Sequence, residues 1–210
     1  MKTILLILFL LFTNTSFANT NYTNDTKLIK NIESYVNSLQ SISGNFNQIS
    51  SNGAKDSGVF YINKPGKMRL EYKSPILLVA DGSSIVYFDK KLDQISYIAL
   101  ESNPASIILN GKIKLTGENP DAKITNITET DDEILEIELS TPTEKQSGKI
   151  TILFSKKPLS LIGWKVKDPQ GITTTITLSN IKPETNLSSS LFKISRNKSF
   201  NNTKSKSKYY

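Results

Sequence analysis

Residues 58 to 72 read Gly-Val-Phe-Tyr-Ile-Asn-Lys-Pro-Gly-Lys-Met-Arg-Leu-Glu-Tyr and predict a β-hairpin. Apolar side chains recur at every second position, at Phe60 and Ile62 before the Pro-Gly pair and at Met68 and Leu70 after it. This period of two is typical of strands that bury one face, and Pro-Gly is typical of the turn between them.

Similar short runs continue outward from this hairpin along most of the chain. Turn signals such as Ser51-Asn52-Gly53 and Asp81-Gly82 separate them. Ten or eleven short antiparallel strands in series predict a mainly β fold, a meander closed into a sandwich or a barrel. The runs lie near residues 45–48, 58–63, 67–72, 76–81, 84–89, 94–100, 122–128, 133–140, 148–155, 160–168 and 171–180.

Two segments have helical spacing instead. Apolar residues recur three or four positions apart from about residue 26 to residue 40, and Asp25 or Thr26 can cap the first turn. A second, short helix is predicted over residues 103–110, because Pro104 suits a first helical turn and Gly111 suits a helix end.

Strands 59–62 and 85–88 carry apolar side chains on both faces. A curved sheet with the helices over its concave side would account for this and would enclose an apolar cavity. Ordinary central strands packed on both sides account for it equally well.

The composition excludes much enzyme chemistry. The 210 residues include no cysteine and no histidine, which excludes disulfides, thiol nucleophiles, Ser-His-Asp triads and the usual zinc ligands. No phosphate-binding loop or dinucleotide motif occurs. Asp131 and Asp132 lie where a hairpin turn is expected, and Glu136 and Glu138 alternate with apolar residues, which favours a solvated strand face over a metal or catalytic site. Trp164 is expected in the core or at an interface. We expect no catalytic residue, metal or cofactor.

The N-terminus is typical of a secretory signal peptide. Lys2 precedes nine apolar residues, Ile4 to Phe12, and small residues then allow cleavage after Ala18. Nine residues form about 14 Å of helix, too short for the roughly 30 Å of a membrane core. We therefore predict a signal peptide over 1–18, one domain over 19–195 and export to the bacterial periplasm.

The net charge of +7 belongs mostly to the C-terminus. Residues 19 to 195 carry 20 basic and 19 acidic side chains, whereas 196–210 carry five basic residues and no acid. We expect a basic, disordered tail there, either without a role or in contact with an anionic membrane surface. A nucleic-acid partner is not expected for an exported protein.

An ordered set of short motifs spans the first half of the domain. These motifs are Ser43 to Gln48, Ser57 to Phe60, Lys64 to Tyr72, Ser74-Pro75, Val79 to Gly82, Tyr87 to Asp89, Leu92 to Gln94 and Pro104 to Ser106. Together with the preceding helix and the terminal Leu191 to Ile194, the set resembles the outer-membrane lipoprotein carrier family, the LolA-like periplasmic chaperones.

The resemblance implies an unclosed antiparallel β-barrel with short lid helices over an apolar cavity. It also implies a carrier that receives acylated lipoproteins from an inner-membrane exporter and passes them to an outer-membrane acceptor. The acceptor shares the fold but is lipidated on a cysteine, so this cysteine-free chain resembles the unanchored carrier, and we expect a monomer.

The resemblance further indicates a site. Lys64 stands where the family commonly has an arginine that holds the lid shut, and Leu70 stands where an aromatic residue is common. Lys64 is therefore the candidate latch, although it lacks the planar donor fork of arginine. The candidate cavity residues are Met68, Leu70, Leu77, Val79, Ile85 and Tyr87 on the sheet and Ile32, Val36, Ile107, Ile108 and Leu109 on the helices.

Two other functions are compatible with the same sequence. One is a periplasmic module that binds free fatty acid or another lipid, or senses envelope stress, on the same fold. The other is a hydrolase using serine and lysine, although no spacing of these residues points to one.

Overall fold

The structure is a computed structural model that describes residues 25–130, 132–140 and 148–194. The expected signal peptide, the basic tail and Asp131 lie outside these residues. The elements are, in chain order, α1 (Thr26–Ser38), β1 (Ser41–Ser50), β2 (Lys55–Asn63), β3 (Lys67–Tyr72), β4 (Ile76–Asp81), β5 (Ser84–Asp89), β6 (Gln94–Ala99), α2 (Ser106–Leu109), β7 (Lys123–Glu129), β8 (Ile134–Ser140), β9 (Lys149–Lys156), β10 (Leu159–Lys167) and β11 (Thr173–Pro183).

The eleven strands form one antiparallel sheet in the order β6-β5-β4-β3-β2-β1-β11-β10-β9-β8-β7. The first and last strands pair in the middle of the sheet, whereas β6 and β7 are its two edges. Within the described residues no ladder joins these edges, so the barrel is not closed. The prediction of an unclosed antiparallel barrel with about ten or eleven strands is confirmed.

Both helices form close to their predicted positions. The side chain of Asp25 caps α1 by accepting a hydrogen bond from the backbone N–H of Leu28 at 2.9 Å, and Ile29, Ile32 and Val36 form its buried face. The second helix is shorter than predicted, since only the single-turn α2 forms within residues 103–110, and a 3₁₀ turn, Leu100–Ser102, precedes it. No helix in the described part of the chain is both long and apolar enough to cross a membrane.

Strand register defines the two faces of the sheet. Leu70 lies opposite Phe60 on β2 and Leu78 on β4, and directly opposed residues of antiparallel strands point to the same face. This face, the inner face, packs with α1 and α2 in one hydrophobic core. Its largest fully buried side chains come from both halves of the sheet: Phe46, Phe60, Ile62, Leu70, Ile127, Leu135, Ile137, Leu139, Ile150 and Phe154.

The opposite, outer face carries a second and smaller core. Leu77, Val79 and Phe192 are its buried members. Phe192 belongs to residues 184–194, which we call the strap because they cross the outer face of β3 and β4. Arg69 fastens the strap by donating a 2.9 Å hydrogen bond from Nη1 to the carbonyl oxygen of Leu191.

The strap explains why strands 59–62 and 85–88 are apolar on both faces. On the inner face Phe60, Ile62 and Ile85 belong to the main core, while Tyr61 and Phe88 pack against the outer cluster. Trp164 is buried in the main core, as expected.

Candidate functional site

The inner face is covered by α1, α2 and residues 110–122, which together we call the lid. Two polar side chains of α1 hold the lid together. Asn37 both donates to the carbonyl oxygen of Ile113 (2.9 Å) and accepts from its N–H (2.7 Å). Glu33 accepts hydrogen bonds from the backbone N–H groups of Leu115 and Thr116 at 2.7 and 3.2 Å. These hydrogen bonds therefore join α1 to residues 110–122 within the lid.

Among the described residues, three hydrogen bonds join the lid to the sheet. The ammonium of Lys64 donates to the carbonyl oxygen of Val36 at 3.0 Å, and the N–H of Gly66 donates to the carbonyl oxygen of Leu109 at 2.8 Å. On the other side of the lid, the hydroxyl of Tyr35 accepts from the N–H of Leu161 at 3.1 Å. A typical hydrogen bond contributes only about 1 kcal/mol net, so most of the attachment comes from apolar lid side chains buried in the main core, among them Ile32, Val36 and Ile108.

The ammonium group of Lys64 lies at the C-terminal end of α1, where a positive charge is stabilising. Val36 lies in the last turn of α1, where its carbonyl oxygen accepts a long hydrogen bond from the N–H of Leu39 (3.3 Å), and α1 has no basic residue there. Lys64 supplies that positive charge from the turn between β2 and β3. Burial lowers the pKa of Lys64 from 10.5 to about 8, because the charged form loses water in these apolar surroundings.

An apolar gap remains between the lid and the inner face. Its volume is about 10 Å³, close to the minimum that holds one water. It is lined by Val36, Leu39, Ile42, Ile62, Lys64, Ile108, Ile152 and Leu161. The structure therefore shows the lid shut, with no space for an acyl chain until the lid moves.

Most of the candidate cavity residues lie together. Met68, Leu70 and Ile85 on the sheet and Ile32, Val36, Ile107, Ile108 and Leu109 on the lid are buried in the main core. Tyr87 also points to the inner face, since it pairs with Leu78, but it is 40% exposed beyond the lid. It marks the uncovered end of the inner face.

Leu77 and Val79 do not lie in this cavity, and their prediction was wrong. They alternate with Leu78 and Ala80 on β4, and the register turns them to the outer face. There they pack against Phe192 of the strap. Both faces of β4 are apolar, so alternation alone could not show which face the lid covers.

Several cavity residues were missed by reading the sequence. Ile42, Ile62, Ile152 and Leu161 line the gap, and two of them come from the second half of the chain. The alternation in 148–155 and 160–168 signals a buried face. Only the pairing of β1 with β11 brings that face under the same lid.

The acidic cluster has a structural role. Glu136 and Glu138 of β8 form ion pairs with Lys165 of β10 (2.6 Å) and Lys149 of β9 (3.4 Å), as expected of a solvated strand face. In the part of the chain that the structure describes, no group of three or more Asp, Glu, His or Cys side chains is placed to hold a metal ion.

Comparison with known proteins agrees with this architecture. The family model described as "Outer membrane lipoprotein carrier protein LolA" matches residues 37–195. An outer-membrane lipoprotein carrier protein of Cupriavidus pinatubonensis is 29% identical over 178 residues, covering 77% of this chain and 80% of the relative. That of Neisseria meningitidis is 27% identical over 171 residues, covering 77% and 80%.

Among solved structures, a LolA superfamily protein from Nitrosomonas europaea aligns with 79% of this chain and 97% of its own, at 11% identity and a TM-score of 0.45. The family model spans well over half of the chain, from the end of α1 through all eleven strands to the strap. This chain therefore belongs to the outer membrane lipoprotein carrier protein family.

Proposed function

We propose that this protein carries lipoproteins through the periplasm toward the outer membrane by binding their acyl chains between the lid and the inner face. The observation that supports this most directly is the continuous apolar inner face under a separate cover, which apolar packing and a few hydrogen bonds hold in place. Membership of the carrier family supports the same function.

A carrier must also release its cargo. Burial of three long acyl chains is worth on the order of 30 kcal/mol at about 0.8 kcal/mol per CH₂. Non-covalent affinities saturate near 20 kcal/mol, and such tight binding would make release slow. In the closed state the gap is only about 10 Å³, so binding has to displace the lid from the core. The cost of that displacement offsets part of the gain and keeps binding reversible.

The proposed binding residues are the inner-face set of Met68, Leu70, Ile85 and Tyr87, with Ile32, Val36, Ile107, Ile108 and Leu109 on the lid. We add Ile62, Ile152 and Leu161, because they line the gap in the closed state. Lys64 is proposed as the latch that sets the opening equilibrium. We also propose an inner-membrane exporter and an outer-membrane acceptor as partners, and the basic tail as a contact with anionic membrane.

The test is release of a radiolabelled lipoprotein from spheroplasts by the purified protein. Two tyrosines on adjacent strands provide a matched pair. Tyr87 points to the inner face, whereas Tyr97 pairs with Val86 on the outer face, and both are exposed enough to accept a charge. Tyr87→Glu should lower release several-fold, and Tyr97→Glu should leave it unchanged, with both variants unfolding at similar temperatures.

Failure of the unsubstituted protein to release any lipoprotein contradicts the proposal. Mass spectrometry of the co-purifying ligand then distinguishes a lipoprotein carrier from the alternative function. Intact acylated lipoprotein supports a carrier, whereas free fatty acid or phospholipid alone indicates a general lipid-binding module.

A further inference from the structure

An open hollow lies beside the strap on the outer face of the sheet, and we call it the strap hollow. Its volume is about 660 Å³. Arg69 and Lys90, from β3 and the end of β5, line it together with Ser188, Ser190 and Lys193 of the strap. Among the described residues no carboxylate lines it. The strap hollow therefore offers positive charge and hydroxyl groups to an anion.

Two of these three cations are uncompensated. Arg69 is paired with a glutamate of its own strand. Lys90 and Lys193 are exposed, and within the described residues neither forms an ion pair. On the far half of the outer face, by contrast, Lys149 and Lys165 are paired with glutamates of β8. The excess positive charge of the sheet therefore includes the strap hollow.

Apolar side chains adjoin these charges. Leu187, Leu191 and Ile194 of the strap line the same hollow, and each is only partly buried. A bilayer presents phosphate groups at its surface and hydrocarbon just beneath them. Ammonium groups on long stems beside partly exposed aliphatic side chains match that arrangement.

The basic tail begins at the same place. Ile194 is the last described residue and lines the strap hollow, and residues 196–210 then carry five basic side chains and no acid. Clusters of four to eight basic residues are typical of contact with anionic lipid, and each such residue near the surface raises binding about fivefold. The strap hollow and the tail can therefore contact one surface.

We propose that the strap hollow docks on the surface of an anionic phospholipid bilayer, with lipid phosphates at Lys90 and Lys193 and the basic residues of the tail on the same surface. The inference rests on the proposed function, which gives the tail a membrane contact, and it adds the folded surface that shares this contact.

The type of cation favours a lipid surface over an acidic protein. Of the uncompensated cations in the strap hollow and the tail, all but Arg196 are lysines. Lysine is a point charge on a flexible stem and suits a layer of mobile headgroups, whereas the planar fork of arginine suits carboxylates in fixed positions.

Docking in this way places the entrance of the proposed binding site beside the bilayer. Phe88 lines the strap hollow, while the preceding residue on β5, Tyr87, points to the other face and marks the uncovered end of the inner face. The β7 edge lies at the other end of the sheet. A docked carrier therefore presents its uncovered end to the membrane that holds the acylated cargo.

Flotation of the purified protein with vesicles tests the docking. The protein should float with vesicles of phosphatidylglycerol and phosphatidylcholine at low salt, but not with phosphatidylcholine alone or at high salt. Lys90→Glu combined with Lys193→Glu should lower the partition coefficient at least about twenty-fivefold. Lys123→Glu combined with Lys167→Glu changes the net charge equally at exposed positions of β7 and β10 and should have little effect.

A fluorescent label locates the contact, since the chain contains no cysteine. Asn186 is exposed and lines the strap hollow, whereas Thr125 is exposed on β7. An environment-sensitive dye on Asn186→Cys should shift its emission to the blue on anionic vesicles, and the same dye on Thr125→Cys should not. A shift at position 125 alone, or equal shifts at both positions, overturns the proposal.

Lipoprotein release distinguishes the docking from the proposed function. With the protein in excess, the variant with Lys90→Glu and Lys193→Glu should still release lipoprotein from spheroplasts, because the acyl chains bind on the other face of the sheet. Release without any flotation of the unsubstituted protein therefore overturns the docking alone. Flotation that this variant retains in full also overturns it, as does binding to detergent-solubilised membrane proteins but not to protein-free vesicles, which would indicate an acidic protein partner.

Discussion

The side-chain ammonium of Lys64 lies 3.0 Å from the carbonyl oxygen of Val36 and joins the β2–β3 turn to the last turn of α1. The contact has two opposing effects on the closed lid. The hydrogen bond and the helix dipole favour closure, while transfer of the charge into an apolar site opposes it. In the proposed carrier Lys64 is the latch, and these opposing effects allow the closed lid to open for cargo.

This balance depends on pH. The pKa of Lys64 is about 8 with the lid closed and 10.5 in water, so the open state binds more protons between these values. The penalty for the buried charge is complete below pH 8 and falls as the pH rises. Between pH 7 and pH 9 the closed state should gain by up to about tenfold in population, and uptake of a fluorescent fatty acid should slow accordingly.

Lys64→Arg is the control, since arginine stays protonated throughout this range. Its uptake should show no such decline between pH 7 and pH 9. An equal decline in both proteins would assign the effect to other groups.

Gly66 is the second attachment point of the lid, and its environment requires glycine. Its φ is +75°, and an added Cβ would lie 2.8 Å from the Cα of Gly82. Gly66→Ala should cost about 2–3 kcal/mol in the free energy of unfolding, from the left-handed backbone and the close contact together. Gly53→Ala, with φ +90° and no atom within 4 Å of the added Cβ, should cost only about 1 kcal/mol. Urea unfolding measures both, and equal losses would contradict the role of the Gly82 contact.

Within the lid, Asn37 joins α1 to the loop that contains Ile113. Asn37→Ala leaves the N–H and C=O of Ile113 without their side-chain partner and should cost about 2 kcal/mol. Hydrogen exchange at the Ile113 amide should accelerate strongly. Asn45→Ala, at an exposed position on β1, should change neither quantity. Unaltered exchange at Ile113 in Asn37→Ala would show that the loop is held by its apolar contacts alone.

Substitutions of two buried phenylalanines distinguish an effect on stability from an effect on ligand binding. Phe60 belongs to the inner core and Phe192 to the outer cluster, with exposures of 0% and 1%. Substitution of either by leucine should cost about 1–2 kcal/mol. Only Phe60→Leu should change the affinity for a fluorescent fatty acid, measured by titration. A comparable change in Phe192→Leu would place a binding surface under the strap.

Local patterns were sufficient to predict most of the fold. Alternation and turn residues located the strands within a few residues, and the spacing from Leu28 to Leu39 located α1. The face assignment on β4 failed because Leu77 and Val79 are covered by Phe192, a residue more than a hundred positions away. No local pattern reports such a contact.

The hydrogen bonds of the lid likewise could not be predicted from local sequence patterns. Lys64 is a candidate latch only through the family resemblance. Glu33 and Asn37 read as ordinary polar residues of an amphipathic helix, and their partners at Leu115 and Ile113 become apparent only in three dimensions.

The central claim is that acyl chains bind on the inner face, under the lid. Tyr35 packs edge-to-face with Phe154 in the inner core, at 6.1 Å between ring centroids, while Tyr61 packs in the outer cluster. A p-benzoylphenylalanine photocross-linker at each position, irradiated while the protein carries an acylated lipoprotein, compares the two faces directly. We predict cross-linking to the lipoprotein from position 35 and none from position 61. Cross-linking from position 61 alone, or equally from both, would contradict the account.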